Sequence, residues 1–312
     1  MKKLNNLEES KFLRLFFLFV SLCFVIAAPF MPDRSTMFSG VWKIMSGTCK
    51  ISTNYFALGG YAAPFLNMGL VGLLCTGLVC LPGAKPNNVT TLGVLLTIGF
   101  GSWGMNLLNM IPTILGVMLY ALVKKEKLGA VSNAMLYSTG IAPLISELLF
   151  RYPNTDGFTW LGLGLAIFIG LIIGFFLPAG LAHAPNIHKG YDHYSAAVPI
   201  GFTAFFLRAV LYNVMLGWKL SDVGALATMA APKAEFFYAC NIFCLVVFAL
   251  CILFALLMGC KPKDYWNLMK DSGHGVSFTT KYGYAPFLMN VGVFGLMIVG
   301  YFNLAAFMDG GV

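Results

Sequence analysis

Long apolar stretches with almost no charge recur along this chain, and they constrain its fold more than any other feature. A helix needs about 20 apolar residues to cross a bilayer core that is about 30 Å thick. Stretches of about this length occupy residues 12–31, 55–81, 130–150, 160–181, 196–216, 236–258 and 284–307. The sequence therefore predicts an all-α, multi-spanning membrane protein with about seven full transmembrane helices.

Composition supports a membrane protein and argues against a nucleic-acid-binding one. Hydrophobic residues make up 59% of the 312-residue chain and charged residues only 10%, whereas soluble domains carry about 25% charged residues. The net charge of +8 is spread over loops, and no basic patch is interleaved with stacking aromatic side chains. We interpret these loops as facing an anionic cytoplasmic membrane surface, so the predicted partner is a lipid bilayer and not nucleic acid.

Residues 89–123 are apolar but interrupted, which is not typical of ordinary spans. An apolar run of about ten residues precedes the segment GSWGMNLLN, residues 101–109, and a second short run follows it. Short apolar helices on either side of such a break are typical of a broken or re-entrant helix pair. The free backbone groups of the break are tolerated only where protein or a water-filled cavity satisfies them.

One apolar motif occurs twice. The stretch LGGYAAPFLNMGLVGL, from Leu58, is similar to GYAPFLMNVGVFGL, from Gly283. A tryptophan precedes each copy, and Trp42 and Trp266 are 224 residues apart, while the prolines of the two motifs are 222 residues apart. Two independent matches at nearly one offset predict an internal duplication.

The duplication suggests a division of the chain. We assign residues 1–216 to a first copy, residues 217–234 to a linker and residues 235–312 to a partial second copy. With a period near 222 residues, a full second copy would extend far beyond residue 312. We therefore expect the duplication to be incomplete in this chain.

The distribution of Lys and Arg indicates the orientation. With the N-terminus inside and the interrupted segment returning to the side it left, thirteen Lys and Arg residues lie inside and six outside. This bias predicts a multi-pass protein of the bacterial inner membrane with a cytoplasmic N-terminus. Five full crossings then precede residue 236, so the second copy enters from the opposite side and the duplication is predicted to be an inverted repeat.

Three stretches carry a resemblance to a known family. STNYFALGGYAAPFLNMGLVG, GFGSWGMNLLNMIPTILGV and HKGYDHYSAAVPIGF together resemble bacterial polytopic membrane proteins known only as domain of unknown function fifteen-seventy-six. The resemblance covers nearly the whole chain. It implies a membrane protein with a duplicated domain, and it implies no activity, because the family has none established.

The duplicated motif and the break contain the candidate binding residues. An amide beside a proline inside a span can line a site for a neutral solute or a partly dehydrated ion, and glycines let the backbone approach a ligand. The candidate substrate-binding residues are Pro64, Asn67, Gly101, Ser102, Asn106, Asn109, Pro286 and Asn290. The alternative is an interhelical hydrogen bond for the asparagines and an ordinary loop for the break.

Charged residues also lie within apolar runs. Arg151 follows Glu147 by four residues, an order that favours an ion pair, so we expect a surface ion pair there in preference to a proton or cation path. Arg208 lies deeper, where it either snorkels, binds a backbone carbonyl or attracts an anion. The cysteines and histidines have no metal-ligand spacing, so neither a metal nor another cofactor is expected.

These features favour a transporter or channel-like permeation protein for a small solute or ion, with a site built from the duplicated motif. The chain has no nucleophile elbow, P-loop, zinc-protease motif or paired-carboxylate pattern, so we do not expect an enzyme. The alternative is a non-transporting membrane protein, either a lipid-handling enzyme or an assembly scaffold. A homo-oligomer is compatible with both.

Overall fold

The computed structural model describes residues 7–47, 54–152, 157–189, 196–211, 234–273 and 276–308. All regular structure in these residues is helical, which confirms the predicted all-α class. The α-helices are α1 Glu9–Ala27, α2 Met37–Ser46, α3 Tyr55–Gly59, α4 Ala62–Leu78, α5 Asn88–Phe100, α6 Leu107–Lys124, α7 Ser132–Ser138, α8 Ala142–Arg151, α9 Trp160–His188, α10 Ala197–Ala209, α11 Ala234–Leu257, α12 Pro262–Met269, α13 Phe278–Tyr282 and α14 Tyr284–Met308.

Six helical segments of the described residues are long and apolar enough to cross a membrane. They are Glu9–Phe30, Leu107–Lys124, Leu128–Arg151, Trp160–Ile187, Ala234–Leu257 and Tyr284–Met308. Three further apolar helices, α4, α5 and α10, have 17, 13 and 13 residues. At 1.5 Å per residue they reach about 25, 20 and 20 Å, which is less than the ~30 Å of a bilayer core.

The predicted span at residues 55–81 is wrong as a single helix. Gly60, with φ of 80°, ends α3 and separates it from α4. The carboxylate of Asp33 accepts hydrogen bonds from the backbone N–H groups of Tyr61 and Ala62, at 2.6 and 2.9 Å, where α4 begins. A left-handed glycine and a capped N-terminus thus start a second helix inside a stretch whose composition predicts one continuous helix.

Two other predicted segments differ in detail. Helix α6 belongs to the predicted broken pair, yet its 18 residues make it a candidate span in its own right. The predicted span at residues 196–216 is observed as α10 up to Ala209, and residues 212–216 lie outside the described part of the chain. The described residues therefore contain six candidate spans, where about seven are predicted.

The chain divides into two compact units. A large unit comprises Phe17–Lys85 and Val89–Thr228, and a small unit comprises Met1–Phe16, Pro86–Asn88 and Met229–Val312. The first copy of the motif lies in the large unit and the second copy in the small unit. The predicted linker, residues 217–234, lies outside the described residues except for Ala234.

Glycines bring α6 and α9 into close contact in the large unit. A Cβ atom added at Gly116 would lie 2.5 Å from the carbonyl oxygen of Leu171 and 2.8 Å from the Cα atom of Gly174. A Cβ atom at Gly174 would overlap the carbonyl oxygen of Thr113. Small residues matter here because lipid provides no hydrophobic force between helices, so close van der Waals packing must hold them together.

The two motif copies begin with the same local conformation in their separate units. Each starts with a five-residue helix, α3 or α13, and the N-cap side chain, Asn54 or Ser277, accepts a backbone hydrogen bond. Each short helix ends at a glycine in the left-handed region, Gly60 with φ of 80° and Gly283 with φ of 85°. The longer motif helix, α4 or α14, follows directly.

In the large unit, α4 packs through two glycines on α1, the candidate membrane span that precedes it. A Cβ atom at Gly69 would lie 2.5 Å from Cγ2 of Val25, and one at Gly72 would overlap the hydroxyl of Ser21. The Ser21 hydroxyl donates to the carbonyl oxygen of Phe17 at 2.7 Å, within α1 itself. The two residues of α1 that face these glycines, Ser21 and Val25, are therefore one helical turn apart.

In the small unit, α14 packs in the same way on α11, the candidate membrane span that precedes it. A Cβ atom at Gly292 would lie 2.5 Å from Cγ1 of Ile252, and one at Gly295 would overlap the ring of Phe248. Residues 248 and 252 are again one helical turn apart. Both motif helices thus use glycines at the third and sixth positions of NMGLVG or NVGVFG to approach the helix before them.

Replacing Gly174 with alanine is expected to destabilise the protein, because the added methyl group overlaps α6. Overpacking of this kind costs about 1–3 kcal/mol, and the melting temperature of the purified protein in detergent measures it. Gly164→Ala is the matched control in the same helix, because nothing lies within 4 Å of its added Cβ atom. Equal melting temperatures for the two variants would contradict the close contact of α6 with α9.

Candidate functional site

The predicted break between α5 and α6 occupies residues 101–106 of the large unit. Helix α5 ends at Phe100, whose carbonyl oxygen accepts from the N–H groups of Trp103 at 2.8 Å and Met105 at 3.0 Å. These turn hydrogen bonds leave the carbonyl groups of Gly101 and Met105 without a helical partner. Since Gly101 and Met105 are both buried, the protein must satisfy them from elsewhere.

Asn67 of α4 provides these partners. Its side chain is 1% exposed, and its amide nitrogen donates to the carbonyl oxygens of Gly101 at 2.6 Å and Met105 at 2.8 Å. A Cβ atom at Gly101 would lie 2.9 Å from the Cα atom of Met68, so the glycine allows α4 to come this close. Both amide hydrogens of Asn67 are therefore used to hold the break.

Asn106 and Asn109 form a reciprocal cap on α6. The side-chain oxygen of Asn106 accepts from the N–H groups of Leu108 at 3.0 Å and Asn109 at 3.1 Å. The side-chain oxygen of Asn109 accepts in turn from the Asn106 N–H at 2.9 Å. This capping box satisfies the first donors of a helix that begins in a buried environment.

The remaining amide hydrogens of the cap connect three helices. Asn106 donates to the hydroxyl of Tyr55 in α3 at 3.0 Å, and Asn109 donates to the carbonyl oxygen of Gly104 at 2.8 Å and to the hydroxyl of Ser146 in α8 at 2.9 Å. Asn67, Asn106 and Asn109, with Tyr55 and Ser146, form one buried polar group of residues, which we call the asparagine cluster.

The structure thus brings together several of the predicted binding residues. Asn67, Asn106, Asn109 and Gly101 meet in the asparagine cluster, whereas Ser102 is half-buried and donates to the carbonyl oxygen of Gly99 at 2.6 Å. The amides of the cluster bind the protein's own backbone and hydroxyl groups, as the predicted alternative of interhelical hydrogen bonding describes.

The remaining predicted binding residues have different surroundings. Pro64 is buried near the start of α4, and Pro286 is buried near the start of α14 in the small unit. Asn290 is half-buried and makes no side-chain hydrogen bond that the structure describes. The asparagines of the two motif copies therefore differ in their hydrogen bonds, because only Asn67 is described with an interrupted backbone to donate to.

Glu147 and Arg151 form an ion pair, but it is buried and not at the surface as predicted. The carboxylate oxygen of Glu147 lies 3.3 Å from a guanidinium nitrogen of Arg151, and the two residues are 2% and 9% exposed. Helix α8 packs against both α6 and α9, and this packing covers the pair. A buried ion pair is expensive to break, because removal of either residue leaves the other charge uncompensated.

Arg208 lies beside a cavity of the large unit. The cavity has a volume of about 270 Å³ and is lined by Gly140, Ile141, Pro143, Leu144, Ala204, Phe205 and Arg208. It is mostly apolar and adjoins the 3₁₀ turn Thr139–Ile141 that separates α7 from α8. The Arg208 side chain is exposed and forms neither an ion pair nor a hydrogen bond with the described residues.

Sequence reasoning missed three residues of these polar groups: Asp33, Tyr55 and Ser146. Asp33 binds backbone groups 28 and 29 residues away, and Ser146 is 37 residues from Asn109. No local spacing connects residues so far apart. Of the three, only Tyr55 could have been suspected from the sequence, because the hydroxyl of a buried tyrosine needs a hydrogen-bond partner.

One family model matches the chain over residues 33–215, and its description is "Protein of unknown function (DUF1576)". This confirms the resemblance, over more than half of the chain. No curated protein and no solved structure matches the chain. The matched residues include the whole asparagine cluster.

Replacing Asn67 with alanine is expected to destabilise the protein, because two buried carbonyl groups lose their donor. Side-chain hydrogen bonds in membrane proteins average about 0.6 kcal/mol, and a buried group left unsatisfied costs about 1–3 kcal/mol. Asn290→Ala is the matched control, since that half-buried amide has no described hydrogen bond to lose. The melting temperature in detergent should fall further for Asn67→Ala, and an equal fall would contradict the bracing of the break.

Proposed function

Because the chain belongs to the DUF1576 family, whose description states no activity, we propose its function from the site itself: a transporter or channel-like protein for a small solute or ion. The observation that supports it is the buried break, where two carbonyl groups and three asparagines meet inside a strongly apolar protein. Polar groups are costly at membrane depth, and interrupted helices that line a site are common in transporters.

The arrangement corresponds to a closed state. Asn67 occupies the carbonyl oxygens of Gly101 and Met105, so a solute reaches them only when α4 moves away from the break. A cation or a solute with hydrogen-bond donors would then replace the Asn67 amide. Exchange of one set of hydrogen bonds for another keeps the buried carbonyls satisfied in both states, which is the energetic requirement for alternating access or gating.

In this proposal the two motif copies are an inverted duplication in a bacterial inner membrane, with a cytoplasmic N-terminus. The matching glycine turns and the matching glycine contacts support a common origin of the copies, and the Lys and Arg distribution supports the inversion. Helices α2 and α12 carry exposed tryptophans, Trp42 and Trp266, that suit the membrane interface.

Single cysteines at the exposed positions Lys43 and Lys270, near these two tryptophans, are expected to be labelled from opposite sides of the membrane. The positive-inside rule predicts an external Lys43 and a cytoplasmic Lys270. Labelling of intact cells with a membrane-impermeant maleimide, before and after lysis, measures this, and the unsubstituted protein corrects for native cysteines. Labelling of both positions in intact cells would rule out the inverted arrangement.

A lipid-handling protein is the second candidate, and the cavity beside Arg208 favours it. A mostly apolar cavity of about 270 Å³ next to an exposed guanidinium suits an acyl chain and a phosphate group. The Arg208 site and the asparagine cluster involve different residues, so variants at each can separate the two functions.

We expect flux of a small solute or ion through the protein in proteoliposomes, with candidates chosen by a thermal-shift screen in detergent. Asn67→Ala should lower flux per folded protein severalfold, because one of the exchanging hydrogen-bond sets is lost, and Gly164→Ala should not. Arg208→Gln should leave flux unchanged. If only phospholipids raise the melting temperature, and Arg208→Gln abolishes that rise, the lipid-handling function replaces transport. If Asn67→Ala lowers flux only in proportion to the loss of folded protein, Asn67 has a scaffold role.

A further inference from the structure

Helix α12 lies directly beyond the end of α11, a candidate membrane span. Gly259, with φ of 94°, donates to the carbonyl oxygen of Leu256 at 2.9 Å, and Cys260 N–H donates to that of Ala255 at 3.0 Å. These two hydrogen bonds form a Schellman cap, which ends α11. Since α12 begins at Pro262, three residues beyond Gly259, it lies at the headgroup layer when α11 crosses a bilayer.

One face of α12 is buried and the opposite face is exposed. Leu268 is 2% exposed, and α12 packs against α14 on this side, whereas Trp266 is 59% exposed. Lys263 and Lys270 are exposed as well. They lie three residues before and four residues after Trp266, so the three side chains share one face of the helix, which we call the Lys-Trp-Lys stripe. Lysines beside a large aromatic residue are typical of helices that lie on a lipid surface.

Both lysines of the stripe are available to an external anion. Neither Lys263 nor Lys270 forms an ion pair with the part of the chain that the structure describes. The Lys270 ammonium lies over the Trp266 ring, 6.0 Å from its centre. This contact leaves the N–H groups of the ammonium free to donate, because a ring face attracts the charge without accepting a directed hydrogen bond.

The acidic groups near α12 bind other partners. Asp264 is two residues before Trp266, which places it on the opposite side of the helix, and its carboxylate accepts from Lys261 N–H at 3.1 Å. The Asp271 carboxylate binds the ammonium of Lys281 at 2.6 Å. Glu9, in the same unit, accepts from three hydroxyl groups: those of Ser277, Thr279 and Thr280. The described carboxylates of this region therefore do not neutralise the stripe.

Helix α2 of the first copy provides an internal comparison. It carries an equally placed tryptophan, Trp42, which is 70% exposed. At the positions that correspond to the two lysines, three residues before and four residues after the tryptophan, α2 has Ser39 and Ser46. Lys43 is its one charged residue. The two helices thus share an exposed tryptophan, but only α12 has a cation on each side of it.

We propose that the Lys-Trp-Lys stripe binds the headgroup of an anionic phospholipid and that α2 has no such preference. The two ammonium groups donate to the phosphate of the lipid, and the Trp266 ring lies between the headgroups and the acyl chains, where amphipathic rings are stable. A zwitterionic headgroup suits the stripe less well, because its own ammonium group repels the lysines. The site does not depend on the proposed transport, since it involves neither the break nor Asn67.

Native mass spectrometry of the full chain in detergent tests the site, with phosphatidylglycerol and phosphatidylcholine of equal acyl chains as the probes. We expect saturable binding with a preference for phosphatidylglycerol. Each lysine near an anionic lipid surface strengthens binding about fivefold, so Lys263→Gln with Lys270→Gln should weaken phosphatidylglycerol binding about thirtyfold. Binding of phosphatidylcholine should not change. All variants carry Arg208→Gln as well, so that a lipid at that guanidinium is not counted.

Arg34→Gln with Lys43→Gln is the matched control, because it removes the same charge from two exposed positions near Trp42. It should leave phosphatidylglycerol binding unchanged. In the converse variant, Ser39→Lys with Ser46→Lys reproduces the stripe around Trp42. We expect this variant to gain a second saturable site for phosphatidylglycerol.

Equal affinity of the native protein for the two lipids would overturn the proposal, and so would undiminished phosphatidylglycerol binding without the two lysines. An equal loss in the Arg34 and Lys43 control would show that net charge alone attracts the lipid, which also contradicts a site at the stripe. Failure of the serine-to-lysine variant to gain a site counts against the stripe as a sufficient unit. Because the readout is lipid binding, a protein that transports nothing can still confirm the site.

Discussion

Inside a bilayer no water satisfies a backbone N–H or C=O group, and the rest of this structure depends on that constraint. Continuous helices meet it by themselves, but the chain is interrupted between α5 and α6 and again between α3 and α4. At each interruption a side chain from elsewhere supplies the partner. Asn67 binds the carbonyls of the first, and Asp33 binds the N–H groups of the second.

These polar contacts require backbones to lie close together, and glycine makes that approach possible. Gly101 lets α4 reach the break, while Gly69 and Gly72 let α4 lie against α1. The same pattern of small residues holds α6 to α9. Packing and hydrogen bonding are therefore coupled: a side chain that moves a helix outward by a fraction of an ångström also lengthens the hydrogen bonds that the helix provides.

The coupling also explains how one motif can have two environments. Both copies have the glycine turn and the paired glycine contacts, so both place an asparagine on the motif helix. Asn67 faces a break that uses its two amide hydrogens, whereas Asn290 is half-buried without a described partner. At the turn itself Asp33 lies beside Gly60, whereas nothing lies within 4 Å of a Cβ atom added at Gly283. Equal backbone conformations therefore present different chemistry, because the contacting residues come from outside the motif.

The sequence by itself determined the features that depend on neighbouring residues. Apolar length predicts the spans, the cluster of Gly101, Gly104 and Asn106 predicts where α5 and α6 separate, and the i to i+4 order predicts the pairing of Glu147 with Arg151. Only the tertiary structure decided that this ion pair is buried, that α3 and α4 are separate helices, and that Asn67 binds the break. Each of these depends on groups tens of residues apart whose approach is set by helix packing, and local pattern does not encode packing.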